Sequence, residues 1–417
     1  MSNQSKSANR SKHSNQAPFG RPLRTMFLLT SMPIGGAETL LVNLVRGFDR
    51  NRIEPIIGCM KEQDVLGEEL ANEIPVFENL LRHKYDFAVA GRLKQLFLKE
   101  KIDALVTVGA GDKMFWGRLG ARRARLPVIL SALHSTGWPD GVGRLNRMLT
   151  GITDGFIAVA RQHAKFQIEH ERFPAEKVFL VPNGIDTDRF TFCEDARTQW
   201  RNELSINHDV PVIGIVAALR PEKNHDLFIE AARRVSSNFA DAQFVIVGDG
   251  PERLRLEALA KSKGVDSQVR FIGATHDIPG ALSMMDVFAL TSHNEASPVS
   301  IMEALSCQRP IVATDVGSID ESVINGTTGF LVEPDDAQAM ARRWIELIRE
   351  PKTRETFGRN GREHIIQNSS LHSMTDGYTR LLETTFAVKT KSKVNLTSTI
   401  APTSSLPDGW VNWDYKI

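Results

Sequence analysis

Two glutamates, Glu295 and Glu303, stand eight positions apart around a predicted helix start. Ser297 is expected to be the N-cap residue of this helix, and Pro298 its first helical residue. Glu295 falls in the loop between a predicted strand and the helix, whereas Glu303 falls on the helix itself. Two acids placed in this way predict a ligand site rather than a scaffold element.

The first turn of the same helix offers backbone donors to an anion. Val299 and Ser300 would present free N–H groups there, as helix N-termini do when they bind phosphate. Glu303 lies one turn further on, where its carboxylate can accept hydrogen bonds from two adjacent hydroxyl groups, as on a ribose. The alternative interpretation of Glu303 is an ordinary acid on a solvated helix face.

Other candidate residues also follow predicted strands. Arg220 and Lys223, in the sequence RPEKN, can hold a diphosphate through an arginine fork and a lysine point charge, or they belong to a solvated turn. Gly36 is part of a Gly-Gly pair that either lets a ligand approach the backbone or simply makes a tight turn. His134 is interpreted as a sugar contact or proton shuttle, with a structural histidine as the alternative.

Short apolar strands alternate with amphipathic helices twice along the chain, which is typical of parallel sheets covered by helices on both faces. We therefore predict an α/β fold with two Rossmann-like domains, residues 21–186 and 187–370, between tails at 1–20 and 389–417. Ligands bind at the carboxyl ends of strands in such sheets, so the candidate loops would face one another across a cleft. The predicted strands are 25–32, 55–60, 104–108, 128–133, 156–159 and 178–181, then 212–217, 244–247, 269–272, 287–291 and 311–314.

Composition excludes several classes of protein. The net charge of the 417 residues is +1, and no basic face predicts a nucleic-acid partner. Three scattered cysteines, no signal-peptide pattern and no apolar run of about 18 residues predict a cytoplasmic protein without a transmembrane helix. One basic helix is either a solvated face or a peripheral contact with anionic lipid headgroups at the inner membrane surface; its cations are Lys113, Arg118, Arg122, Arg123 and Arg125.

The motif Glu295-x7-Glu303, followed by residues 317–321, resembles the retaining glycosyltransferases of family 4 (group 1), which have the GT-B fold. Five supporting motifs occur in the order of that family, and the resemblance covers roughly residues 24–387. They are GGAE at 35–38, VPNGID at 181–186, PEKN at 221–224, VGDGP at 247–251 and GTTGFLVEP at 326–334. No motif is decisive alone, but six in register are highly specific.

The resemblance implies an acceptor-binding N-terminal domain and a nucleotide-sugar-binding C-terminal domain. It also implies that the last helix, residues 371–388, crosses back onto the N-terminal domain. The implied donor is a UDP- or GDP-sugar, used without a metal or any other cofactor.

Several site residues take roles from the resemblance. Glu303 resembles the ribose ligand, Glu295 the acid near the transferred sugar, and Lys223 the diphosphate cation. Gly36 resembles the glycine that lets the N-terminal loop reach the phosphates. His134 resembles the histidine that contacts the transferred sugar.

Two positions depart from the family pattern. The family often has an arginine five residues before the lysine, where this chain has Ala218, and Arg220 is the candidate replacement. The family's Gly-Phe-Gly after the first glutamate is replaced by Ala296-Ser297-Pro298, and Pro298 has no N–H to donate.

We therefore predict a retaining glycosyltransferase that moves a sugar from a nucleotide sugar to a hydroxyl of a carbohydrate or lipid-linked acceptor. Polysaccharide, lipopolysaccharide or glycolipid synthesis is the expected context. Two alternatives stay open at this point. One is a nucleotide-sugar epimerase of the same fold, and the other is a non-catalytic partner subunit that binds nucleotide sugar.

Overall fold

The computed structural model of the chain describes residues 19–33, 35–83, 86–109, 112–133 and 147–391, and it contains two parallel sheets. The strand order is β3-β2-β1-β4-β5-β6-β7 in the first sheet and β10-β9-β8-β11-β12-β13 in the second. The strands of the first sheet are β1 (Leu23–Leu29), β2 (Ile53–Cys59), β3 (Val76–Phe77), β4 (Ala104–Val108), β5 (Val128–Ala132), β6 (Gly155–Ala158) and β7 (Val178–Leu180). Those of the second are β8 (Val212–Val216), β9 (Gln243–Val247), β10 (Val269–Gly273), β11 (Val287–Leu290), β12 (Ile311–Thr314) and β13 (Gly329–Val332).

Helices cover the sheets and connect their strands. In the first domain they are α1 (Gly36–Gly47), α2 (Asp64–Leu70), α3 (Val89–Lys99), α4 (Asp112–Ala124) and α5 (Arg161–Glu169). In the second they are α6 (Glu194–Glu203), α7 (His225–Ser236), α8 (Arg253–Ser262), α9 (Ile278–Met284), α10 (Val299–Ser306), α11 (Ile319–Ser322), α12 (Ala337–Arg349), α13 (Pro351–Asn368) and α14 (Leu371–Thr390). The predicted α/β fold of two Rossmann-like domains is confirmed.

The apolar pattern of the sequence accounts for these elements. All five side chains of β4 are buried, as expected for a strand covered on both faces. Helix α12 turns one apolar side to the second sheet, where Trp344 is fully buried between the rings of Phe228 and Phe244. Asp336 caps this helix by accepting a hydrogen bond from the N–H of Ala339 at 2.8 Å. The apolar periodicity of the sequence and the N-cap residue Asp336 thus indicate the same position for α12.

The strand order of the second sheet fixes where its loops meet. Strand β8 pairs with β9 on one side and with β11 on the other. The connections therefore run in opposite directions from β8, and a crevice opens at the carboxyl ends of β8 and β11. The loops that follow these two strands leave the sheet side by side, although about seventy residues of sequence separate them.

Helix α14 returns to the first domain. The chain crosses at Ile185, whose N–H donates to Ser369 O at 3.0 Å and whose carbonyl accepts from Leu371 N at 2.8 Å. Beyond this crossing, Tyr378 and Leu382 join the hydrophobic core of the first domain. The buried carboxylate of Glu383 binds Arg52 through two hydrogen bonds of 2.9 and 2.5 Å. The helix continues to Thr390, past the bound of 388 given by the sequence.

Three expectations need correction or fall outside the described residues. Phe19, which the prediction places in the N-terminal tail, packs edge to face on Phe386 of α14 with centroids 4.9 Å apart. Arg118 does not belong to a solvated basic face, because it is fully buried and donates to Thr153 Oγ1 at 3.0 Å. Burial lowers the pKa of Arg118 to about 10. Of the predicted tail 389–417, Lys389 and Thr390 belong to α14, and residues 392–417 lie outside the described ranges.

In the part of the chain that the structure describes, no helix combines the length and the apolarity needed to cross a membrane.

The Arg52–Glu383 pair gives a test of how α14 is held. Replacing Glu383 with Ala leaves the guanidinium of Arg52 without its partner, so the free energy of unfolding should fall by about 3 kcal/mol. The matched control is Asp376→Ala on the same helix, which removes a partly exposed pair with Arg380 and should cost less than about 1 kcal/mol. Urea unfolding of both variants measures the difference. Equal stability of the two variants would show that the pair does not hold the helix.

Candidate active site

An ion pair joins the loops that follow β8 and β11. Lys223 Nζ donates to Glu295 Oε1 at 2.5 Å. Two further contacts hold the loops together: His293 N donates to Glu222 O at 2.9 Å, and Thr291 Oγ1 donates to Lys223 O at 3.0 Å. The cation and the carboxylate are therefore neighbours at the crevice that the strand order creates.

A tight turn directs Lys223. Residues Pro221–Lys223 form one turn of 3₁₀ helix, and Asn224 then adopts the left-handed conformation with φ +47° and ψ +53°. Asparagine tolerates this conformation because its short polar side chain hydrogen-bonds locally. Here that side chain caps α7 by accepting from Leu227 N at 3.4 Å and donates to Asp335 Oδ1 at 2.8 Å. These hydrogen bonds hold the end of the loop in place immediately after Lys223.

Glu295 is fixed through both its side chain and its backbone. Ser292 Oγ donates to the same Oε1 atom at 2.7 Å, and Ser318 N donates to Glu295 O at 3.3 Å. Gly317 has φ +57°, and a Cβ atom there would lie 1.7 Å from Glu295 O. Only glycine fits so close an approach. Ser292 was not selected from the sequence, although it directly follows the predicted strand 287–291 and could have been found by the carboxyl-end rule. Gly317 begins the motif segment 317–321, but no site role was predicted for it.

Helix α10 starts one residue later than expected. The prediction that Ser297 is the N-cap and Pro298 the first helical residue is wrong: Pro298 is extended, with φ −72° and ψ +113°, and itself occupies the N-cap position. Ile301 N closes the first turn on Pro298 O at 3.2 Å. The N–H groups of Val299 and Ser300 have no acceptor among the described residues, so they are available to an anion.

Glu303 sits one turn into α10. It is half-buried, and loss of water around its carboxyl group raises its pKa to about 8, against an opposing effect of Arg189. Met302 and Leu305 are buried in the core on the other side of the helix. Glu303 is therefore less buried than these two neighbours on α10.

The remaining predicted residues are placed as follows. The side chain of Arg220 is exposed and forms no hydrogen bond or ion pair with the described residues. Gly36 is the first residue of α1, and a Cβ atom built there meets no described atom within 4 Å. Helix α1 contacts α10, so the two helix starts lie on facing domains. His134 lies outside the described ranges.

Two family models match the chain. The model described as "Glycosyltransferase Family 4" matches residues 34–189, and the model described as "Glycosyl transferases group 1" matches residues 196–364. One relative, the alpha-D-kanosaminyltransferase of Streptomyces kanamyceticus, is 32% identical over 270 residues, which are 60% of this chain and 69% of that protein.

A second relative and a solved structure extend the comparison. The GDP-mannose-dependent alpha-(1-6)-phosphatidylinositol monomannoside mannosyltransferase of Mycolicibacterium smegmatis is 26% identical over 291 residues, covering 67% of this chain and 76% of that protein. The crystal structure of Anabaena HepE in complex with UDP superposes with a TM-score of 0.77 at 21% identity, over 87% of this chain and 100% of that chain. The likeness to HepE concerns the fold. The chain belongs to glycosyltransferase family 4 and has the GT-B fold.

The raised pKa of Glu303 predicts how stability depends on pH. Because the pKa of about 8 in the fold exceeds the ordinary value of 4.5, the stabilising contribution of the protonated form is complete below pH 4.5 and is lost as pH rises through 8. Glu303→Gln keeps a neutral side chain at every pH. Its free energy of unfolding, measured in urea between about pH 5 and 9, should therefore rise relative to the wild type as pH increases. A constant difference would contradict the raised pKa.

Proposed function

We propose that the chain is a retaining glycosyltransferase that moves a sugar from a UDP- or GDP-sugar to a hydroxyl group of a carbohydrate or lipid-linked acceptor. The observation that carries the proposal is the Lys223–Glu295 pair beside the start of α10. It combines a cation for a diphosphate, backbone donors for its oxygens and a carboxylate for the sugar in one crevice.

Departure of the nucleoside diphosphate places negative charge on its terminal phosphate. The ammonium group of Lys223 and the N–H groups of Val299 and Ser300 are positioned to stabilise that charge as it develops. The exposed guanidinium of Arg220, three residues before the lysine, is a fourth candidate donor. These groups supply positive charge from the protein itself, so the proposal includes no metal.

The two glutamates then take different parts of the donor. The carboxyl group of Glu303 forms hydrogen bonds with both ribose hydroxyl groups, which anchors the nucleoside along α10. Glu295 lies at the phosphate end of the same path and faces the sugar. The acceptor hydroxyl attacks the anomeric carbon from the face that the diphosphate leaves, and the leaving diphosphate takes up the proton of that hydroxyl. The configuration of the sugar is thereby retained.

The relatives support a nucleotide-sugar donor but leave the base open. The mycobacterial relative is named for GDP-mannose, and HepE was crystallised with UDP. The same relative is named for a phosphatidylinositol acceptor, which favours a lipid-linked acceptor here. No observation favours the epimerase or the non-catalytic subunit.

Two substitutions separate donor binding from turnover. Glu303→Ala should weaken donor binding by about tenfold to a hundredfold, since it removes two hydrogen bonds to the ribose. Glu295→Ala should lower kcat by about a hundredfold while donor KM changes little. Initial rates with a panel of nucleotide sugars measure both constants, and Glu346→Ala on the surface of α12 is the control.

Two outcomes of this experiment would contradict the assignment. Unchanged kinetics in both variants would remove the glutamates from the reaction. Conversion of the donor to an epimer without an acceptor would favour the epimerase instead.

A lipid-linked acceptor calls for contact with the membrane surface. With Arg118 buried, the exposed cations at the end of α4 are Arg122, Arg123 and Arg125. We expect the protein to sediment with phosphatidylglycerol vesicles but not with phosphatidylcholine vesicles. Changing any one of these arginines to Glu should weaken binding to the phosphatidylglycerol vesicles by about fivefold. The control pair Arg233→Glu and Arg234→Glu on α7 should bind like the wild type. If the control variants lose as much vesicle binding, the loss in the α4 variants reflects net charge alone.

A further inference from the structure

Helix α5 of the first domain lacks an N-cap of its own. Its N-cap residue is Ala160, which has extended backbone angles and no side chain able to accept a hydrogen bond. Alanine is among the poorest residues at this position, because the first N–H groups of a helix then have no partner nearby.

The second domain supplies the missing acceptor. Glu321 Oε2 accepts from Arg161 N at 3.0 Å, and Glu321 Oε1 accepts from Gln162 N at 3.0 Å. The side-chain amide of Gln162 also donates to both carboxylate oxygens of Asp320, at 3.2 and 3.1 Å. A carboxylate on a helix N-terminus is favoured both by these charge-assisted bonds and by the helix dipole. The contact therefore links the two domains at a defined position.

Glu321 belongs to a short segment, residues 317–321, that reaches the candidate active site at its other end. Gly317 packs on the carbonyl group of Glu295, and Ser318 N donates to that same carbonyl. The segment is tied within itself by Glu321 N, which donates to Ser318 O at 3.2 Å. His364 of α13 lies 3.2 Å from Glu321 O through its Nε2 atom. Only three residues thus lie between Gly317, which packs on the backbone of the candidate catalytic carboxylate, and Glu321, which makes the domain contact.

We propose that Glu321 is a positioning residue of the transfer reaction. Its bonds to the start of α5 set the first domain relative to the second. Through residues 317–318 they also hold Glu295 at a fixed distance from the acceptor side of the crevice. This inference rests on the proposed function, because it assigns acceptor and donor to opposite domains. It predicts that loss of Glu321 impairs turnover and leaves the donor contacts of Lys223 and Glu303 intact.

The simpler explanation is that Glu321 only caps α5. A second-site variant separates the two roles, since Ala160→Ser introduces a hydroxyl at a position whose extended backbone suits an N-cap. In Glu321→Ala combined with Ala160→Ser, the helix regains a cap from its own domain, while the bonds of Glu321 to the first domain stay absent and the contact of Gln162 with Asp320 is unchanged. A capping role would be rescued by this change, and a positioning role would not.

The experiment compares wild type, Glu321→Ala and the double variant. We expect Glu321→Ala to lower kcat by about tenfold or more, with donor KM within about twofold of the wild type. The double variant should recover thermal stability but not kcat. Unchanged kcat in Glu321→Ala, or recovery of kcat in the double variant, would overturn the positioning role.

A readout without turnover keeps this test separate from the proposed function. Small-angle X-ray scattering should give a larger radius of gyration for both variants than for the wild type, because the domains lose a fixed contact. An unchanged radius in both would overturn the inference. A wild type that transfers no sugar would instead overturn the proposed function, and scattering alone would then decide whether Glu321 joins the domains.

Discussion

The ion pair between Lys223 and Glu295 depends on one feature of the chain, the reversal of strand order at β8 and β11. Parallel strands send their following loops to the same edge of a sheet, and the reversal leaves room between two of those loops. Hydrogen bonds from Thr291 and His293 hold these two loops together. Gly317 allows the loop that follows β12 to pack closely on the backbone of Glu295. The chemistry of the site follows from this packing, which brings this cation and this carboxylate together.

Much of this arrangement could be predicted from the sequence, because it depends on local patterns. Strands β4 and β12 coincide with the predicted residues 104–108 and 311–314. Apolar runs bounded by turns identify buried strands, and helical periodicity identifies covered faces. Lys223 and Glu295 were selected because each follows a strand. The two-residue strand β3 and the short strand β13 were missed, since such brief apolar runs carry no period.

The errors have a common physical cause, which is that tertiary contacts decide what local preference leaves open. Pro298 suits the first helical position by local preference, yet its ψ of +113° is extended and places it outside α10. Arg118 looks like one cation of a basic helix, yet it is buried with Thr153 as a partner from another element. Glu321 and the start of α5 are about 160 residues apart in the sequence, and no sequence pattern predicts that they are in contact. Ala160, an unusually poor cap, was the one local sign that an acceptor must come from elsewhere.

The most direct test of the account is a crystal structure of the protein with an intact nucleotide sugar. The account predicts that the diphosphate contacts Lys223 Nζ and the N–H groups of Val299 and Ser300. The ribose hydroxyl groups should form hydrogen bonds with the carboxyl group of Glu303, and the sugar should face Glu295. A diphosphate bound away from the start of α10, or a ribose without contact to Glu303, would contradict it.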